Sequence, residues 1–172
     1  MMQPLVTDLA AMRRLAEAGN GGNLEFRNYL KFDLDWDGTR LDELVHRINA
    51  EVCAQIDCAE CRNCCRTLTV GLSEADSARI ALRLGLGVVE FLQRYTTEDD
   101  EGRTRLSEVP CVFLDGSRCT LGEAAPEQCR DYPHLHKPDF RSRGLSVLVN
   151  AEHCLIVFNV LERLKQELGF SL

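Results

Sequence analysis

The sequence has no apolar run long enough to cross a bilayer. Stretches such as Leu155 to Phe158 stop after a few residues, where a membrane helix needs roughly 20. The opening MMQPLVTDLAAMRRL lacks the basic n-region of a secretory leader. Asp8, Arg13 and Arg14 interrupt any apolar core, so no signal peptide is read there. Positive charge is also scarce. Twenty Lys and Arg stand against 27 Asp and Glu, a net charge of −7, which excludes a general nucleic-acid binder, because phosphate neutralisation needs a basic surface. There is no Gly-rich phosphate loop, no G-x-S-x-G elbow and no H-E-x-x-H pair, so these residues offer no P-loop, nucleophile-elbow or zincin chemistry. No internal repeat is visible. The expected compartment is the cytoplasm, with no membrane partner.

What the chain does have is cysteine: nine in 172 residues. In a reducing compartment these are expected as thiolate ligands rather than as a disulfide framework. With 45% apolar residues, the chain is rich enough to bury a core. Helix formers dominate and β-branched runs are short. The expected fold is mainly α with a small β-hairpin or sheet element, a metal-centred single domain. Residues 1–40 read as an N-terminal extension packing on that domain, and residues 41–172 as the metal-binding domain itself.

Periodicity places the elements. Residues 1–23 begin as an amphipathic segment that GNGGN, from Gly19 to Asn23, should break. The aromatic-rich stretch after it reads as a loop or short helix, with Asp37-Gly38 as a turn. Leu41, Leu44, Val45, Ile48, Val52 and Ile56 share one helical face, with Cys53 on the flank as a cysteine that binds nothing. RTLTVGL reads as one short strand. Ser73 caps a helix running to about Leu84 and stopping at Gly85. VVEFLQRYT is a second helix, and TTEDDEGRTR a polar loop. VPCVFLDGSRCTL reads as a hairpin turning at Asp115-Gly116, with Cys111 and Cys119 on opposite strands. Cys129 falls on a short helical piece among prolines. LSVLV reads as a strand, and a last helix from about Asn150 to Leu168 carries Cys154 near its start.

Cys58, Cys61, Cys64 and Cys65 form C-x-x-C-x-x-C-C. A C-x-x-C turn aims two sulfurs at one ion, and both zinc and iron–sulfur clusters take four thiolates. Without Cys53, the set of Cys58, Cys61, Cys64, Cys65, Cys111, Cys119, Cys129 and Cys154 divides into two groups of four. Neighbouring residues tend to project in different directions. Cys64 is therefore expected at one centre and Cys65 at another, or both in a polynuclear cluster. The bacterial ferredoxin run does not match, because Cys65 follows Cys64 directly.

The segments CAECRNCC, PCVFLDGSRC and CRDYP, with the late Cys154, resemble the YkgJ-type CxxCxxCC family of zinc- or iron-chelating domains. The resemblance runs from about Cys58 to Cys154 and includes SEADSARIALRLG. It maps the family's eight cysteines onto the same eight residues. One departure is TLGEAAPEQC, where relatives often carry an aromatic and an Arg-Pro. The resemblance implies metal binding but no particular reaction. C-x-x-C-x-x-C-C motifs also occur in flagellin lysine methylases, which makes a methylase-associated role conceivable.

His134, His136 and His153 are expected beside the site rather than in it, with His153 the best substitute ligand. A Cys129–His134 nucleophile pair is the weaker reading of those two residues, and no residue is singled out as catalytic. Arg62, Arg66, Arg118, Arg130, Lys137, Arg141 and Arg143 are expected to offset thiolate charge, with the alternative that Arg130 to Arg143 docks an acidic protein partner. Two functions stay open: a non-enzymatic module in which zinc or iron holds the fold together, or an iron–sulfur redox or protein-modifying enzyme or its electron-transfer partner. The cofactor is expected to be zinc or iron, with an iron–sulfur cluster as one form of the latter. Zinc leads for protein prepared in air.

Overall fold

The computed structural model describes residues 4–171. The first three residues of the opening segment lie outside the described residues. The fold is mainly helical with two small antiparallel strand pairs, as expected. Among the described residues, no helix is long and apolar enough to cross a membrane. The chain divides into two compact units, Met1–Cys58 with Pro133–Leu172, and Ala59–Tyr132.

The first unit is a set of packed helices. Helix α1 (Leu9–Ala18) is capped by Asp8, whose carboxylate accepts the Ala11 N–H. GNGGN does not break the structure. Gly19 ends α1, and α2 (Asn20–Asn28) starts at the next residue and buries Asn23 and Phe26. A π-helical turn follows at Tyr29–Asp33. Asp37-Gly38 is not a free turn either. Asp37 caps α3 (Gly38–Cys53), accepting the Arg40 N–H at 2.7 Å. An Asx residue in extended backbone serves both roles, and the apolar period behind it decides for a helix.

Leu41, Val45, Ile48 and Val52 are fully buried on α3, and Ile56 is buried just beyond it. These are five of the six residues of the expected stripe; the sixth, Leu44, is half-buried. LSVLV is helical: it lies within α9 (Phe140–Asn150), which buries Phe140, Gly144, Val147 and Leu148. These spacings of three and four outweigh the β-branched residues. Helix α9 has no cap of its own. The Asp42 carboxylate of α3 accepts the Asp139 and Phe140 N–H groups at 2.8 and 2.9 Å. The last helix, α10 (Leu155–Glu167), starts after Cys154, which is its buried N-cap. It is buried almost all round in its first two turns. Asn159 meets that setting by exchanging two 2.8 Å hydrogen bonds with the Val6 backbone.

The second unit is built from short elements. Helices α4 (Cys58–Cys61) and α5 (Asn63–Thr67) carry the first cysteines, α4 starting at the boundary residue Cys58. RTLTVGL is not one strand. Its first residues complete α5, and only Gly71 bridges the sheet, opposite Arg105. Helix α6 (Glu74–Leu84) is capped by Ser73 and ended by Gly85 at φ 71°, both as expected. Helix α7 (Val88–Tyr95) follows. The polar segment after it is ordered into a hairpin, β1 (Thr96–Glu98) and β2 (Thr104–Leu106). The Asp99 carboxylate supplies the turn by accepting the Glu101 and Arg103 N–H groups.

A second hairpin pairs β3 (Leu114–Asp115) with β4 (Arg118–Cys119). Asp115 is the last strand residue, so the reversal passes through Gly116 at φ 59° and Ser117. Cys119 stands on β4, whereas Cys111 lies before β3, after a cis Val109–Pro110 bond. A 3-10 turn (Gly122–Ala124) leads to α8 (Glu127–Arg130), which holds Cys129 as expected. Ile80, Ala81, Phe91, Leu106, Phe113, Leu121 and Ala125 form the core of this unit, with Cys111 and Cys119 packed against it.

Candidate metal centre

The second unit contains Cys61, Cys64, Cys65, Cys111, Cys119 and Cys129, which stand on four separate chain segments. Helix α4 sets Cys58 and Cys61 three residues apart, on neighbouring positions of one short turn. Arg62 then takes a left-handed conformation, φ 47° and ψ 21°, which starts α5 in a new direction. For a non-glycine residue that conformation costs about 1–2 kcal/mol. The Arg62 side chain offsets it: Nε donates to the carbonyls of Ala59 and Ser117, both at 3.2 Å.

Arg66 makes a parallel tie. Its two terminal nitrogens donate to the carbonyls of Cys61 and Gly116, each at 2.9 Å. Together the two guanidinium groups fasten the cysteine-rich turn to the Gly116-Ser117 reversal. The Cys111 N–H also donates to the Cys65 carbonyl at 2.8 Å. These three connections hold the turn carrying Cys61 to Cys65 beside the segment carrying Cys111 and Cys119.

Cys129 reaches the group through Asp76. That buried carboxylate completes the capping box of α6 by accepting the Ser73 N–H and Oγ at 3.1 and 2.9 Å. It also accepts the N–H of Glu127, the first residue of α8, at 3.0 Å. Arg79 pairs with Asp76 and donates to the Ala125 carbonyl at 3.1 Å. Burial alone would raise the Asp76 pKa, but the hydrogen bonds from Glu127, Ser73 and Arg79 outweigh it and hold the group below the ordinary carboxylate range. The role of Asp76 in placing Cys129 was missed in the sequence. The Ser73-x-x-Asp76 capping pattern is the signal that marks this carboxylate.

The sulfurs influence one another. Cys64 and Cys65 Sγ are 4.0 Å apart. In a tetrahedral thiolate site with bonds of about 2.3 Å, neighbouring sulfurs stand about 3.8 Å apart. The doublet spacing is therefore close to one edge of a single site, and separate centres are not required by side-chain direction. Cys65 is drawn down to about 6, first by a hydrogen bond from Cys64 and then by the charges of Arg62 and Arg66, against the effect of burial. Cys111 is pushed up, chiefly by burial and further by Cys65 and Cys119, although the Phe113 backbone N–H opposes this. Cys129 is exposed as a residue. Burial of its thiol is nonetheless the largest cause raising it to about 12, followed by the negative charges of Cys65, Cys111, Cys119 and Asp76.

Cys65, Cys111, Cys119 and Cys129 thus occupy one mutually repulsive environment once ionised. A bound divalent cation inverts that repulsion, because coordinated thiols give up their protons. The donor type fits zinc and iron alike. Among the described residues, no group of three or more His, Cys, Asp or Glu side chains is arranged to hold an ion as it stands. The fit is therefore in the chemistry and grouping of the donors, and coordination requires the thiols to converge further.

The remaining candidates fall in the first unit. Cys58 lies at its boundary and is exposed, while Cys154 is the buried N-cap of α10. His134, His136 and His153 belong to the same unit, as do Lys137, Arg141 and Arg143. Arg141 donates to the Trp36 carbonyl, and Arg143 to those of His134, Lys137 and Pro138. Cys53 is exposed on α3, its thiol 3.5 Å from Asn49 Oδ1.

A family model, "CxxCxxCC: Putative zinc- or iron-chelating domain", matches residues 57–154. The match covers 98 of the 172 residues, more than half the chain. It opens one residue before Cys58 and closes on Cys154, so it contains all eight candidate ligands and leaves out Cys53. No curated protein and no solved structure matches the chain.

Proposed function

We propose that this chain, which belongs to the CxxCxxCC family of zinc- or iron-chelating domains, holds its metal through thiolates of Cys58, Cys61, Cys64, Cys65, Cys111, Cys119, Cys129 and Cys154. One observation supports this reading: Cys65, Cys111, Cys119 and Cys129, from separate chain segments of the second unit, lie near enough to feel one another's charge. Bound metal would supply the positive charge that lets these thiols ionise together. The protein's part is to place them, through the Arg62 and Arg66 ties and the Asp76 anchor. In this reading metal binding contributes directly to folding free energy. Eight thiolates divide into two sets of four, so about two divalent ions per chain are expected for mononuclear tetrahedral sites.

A second reading is an iron–sulfur centre in a redox or protein-modifying enzyme, such as a methylase-associated module, or in its electron-transfer partner. The exposure of Cys58 favours it, because electron exchange needs an accessible cluster edge. The 4.0 Å doublet is also compatible with a polynuclear cluster.

Metal analysis and a visible spectrum of protein purified without oxygen separate the two. A colourless protein with about two zinc per chain supports the closed metal-binding module. A brown protein with iron and acid-labile sulfide supports the redox reading. Cys119→Ser should lower metal content and soluble yield under either reading. A well-folded Cys119→Ser protein with full metal content and unchanged thermal stability would remove Cys119 from the ligand set.

A further inference from the structure

The β1–β2 hairpin and the bridged segment at residues 69–72 border an open cleft of about 590 Å³ in the second unit. Its volume is in the range of small-molecule sites, about 300–1,000 Å³. Thr69, Asp99, Arg103, Thr104, Arg105 and Gln128 line it. The polar groups in this wall are unevenly committed. Arg103 is neutralised by Asp99 at 2.8 Å and Glu101 at 3.0 Å. Gln128 spends its carbonyl on the Gly71 N–H at 3.1 Å, which leaves its amide nitrogen as a donor.

Arg105 differs. It is half-buried, and its Nε is buried with no hydrogen-bond partner. No carboxylate pairs with its guanidinium among the described residues. Half-burying an unpaired guanidinium is costly. A guanidinium fork matches carboxylate and phosphate oxygens in two parallel hydrogen bonds. Thr69, Thr104 and the Gln128 amide bring further donors to the same cleft.

We propose that this cleft binds a small oxyanion, a carboxylate or phosphate group, with Arg105 as its principal contact. The ligand then adjoins α8 at Gln128, the residue before Cys129. The site uses none of the eight cysteines, so it stands apart from the metal reading.

The test is calorimetric titration of the full-length, metal-loaded chain at low ionic strength. Inorganic phosphate and malonate serve as parallel probes. One saturable site is expected, weakened at least tenfold in Arg105→Ala and less in Arg105→Lys, which keeps the charge but loses the fork. Arg83→Ala, at the exposed end of α6, should bind as the parent does. The tighter of the two probes identifies the oxyanion class. If Arg105→Ala does not fold by circular dichroism, Arg105→Gln takes its place. Absence of saturable binding with both probes, or equal weakening in the Arg105 and Arg83 variants, would overturn the proposal. Repeating the titration on protein that proves not to bind metal keeps the two readings separate.

Discussion

The two units are held together by different means. In the first, α3 and α10 bury long apolar faces. Helix α10 alone buries Leu155, Ile156, Val157, Phe158, Val160, Leu161 and Leu164. Polar contacts there mostly finish helix ends, as Asp42 does for α9. The second unit, Ala59–Tyr132, has a core of seven residues spread over many short elements. Its strands are two or three residues long, and isolated hairpins of that kind are at best marginal in water. A unit of this size usually needs a staple beyond its apolar core, such as disulfides or a structural metal. Unit two supplies polar ties instead, through Asp76, Arg62 and Arg66, and carries six thiols. If metal binds as proposed, the contrast points to where it should matter most: less in the apolar helices, which have large cores of their own, and more in the unit that carries six of the eight thiols.

Removing metal is the strongest way to break that comparison. Structural thiolate sites are worth about 10–16 kcal/mol in small metal-folded peptides, far more than any single side chain here. Hydrogen exchange of chelated protein should show loss of protection across residues 59–132, including α6. Amides of α3 and α10 should keep most of theirs. Equal loss in both units, or no change in either, would show that the apolar and thiol-bearing units do not differ in this way.

A smaller effect is expected at Asp76. Asp76→Ala removes a cap and the acceptor for the Glu127 N–H, and it leaves Arg79 without its carboxylate. Losses of about 1–3 kcal/mol follow from cap removal and unmade buried hydrogen bonds. The folded-state pKa of Asp76 is lowered. Its stabilisation is therefore full above the unfolded carboxylate pKa and is lost as pH falls through the lower folded value. Denaturant melts at neutral and acidic pH should show the parent losing stability on acidification and Asp76→Ala losing less. A parallel pH dependence in the two proteins would contradict the anchor role.

The parts legible in the sequence were those where local signals and packing agree. The α3 stripe, the Ser73-to-Gly85 helix and the reversal at Gly116 all joined a capping or turn residue to a clear period. Two stretches misled because one level overrode another. LSVLV has strand-like composition, yet it lies inside a helix whose buried positions begin five residues earlier, at Phe140. TTEDDEGRTR looked like solvated loop, since its strands bury little and its turn depends on Asp99 bonding to later backbone. At the site, residue type and spacing marked the cysteines. Which segments meet was not legible, because it depends on long-range ties such as Arg66 to Gly116 and Asp76 to Glu127 that leave no periodic trace.

The finest comparison lies within the cysteine cluster, between Cys65, drawn down to about 6, and Cys129, pushed up to about 12. In metal-free, reduced protein, alkylation at Cys65 should rise through a midpoint near pH 6, while Cys129 stays protonated through neutral pH. A lowered folded pKa means that ionised Cys65 stabilises the fold fully above the ordinary thiol value of 9.0 and loses that contribution as pH falls to about 6. Cys64→Ala removes the largest cause and should move the Cys65 midpoint furthest upward. Arg66→Ala should move it less, because Arg62 still contributes. Arg66→Lys separates charge from attachment. It keeps the positive charge near Cys65, but one ammonium replaces the two nitrogens that hold the Cys61 and Gly116 carbonyls. If Arg66 acts mainly by charge, the lysine variant titrates like the parent and binds metal as tightly. If it acts mainly as a clamp, the midpoint holds while metal affinity falls, about tenfold on the scale of other residues that position metal ligands. A midpoint unmoved in both Arg66→Ala and Cys64→Ala would mean that neither neighbour sets Cys65 apart from Cys129.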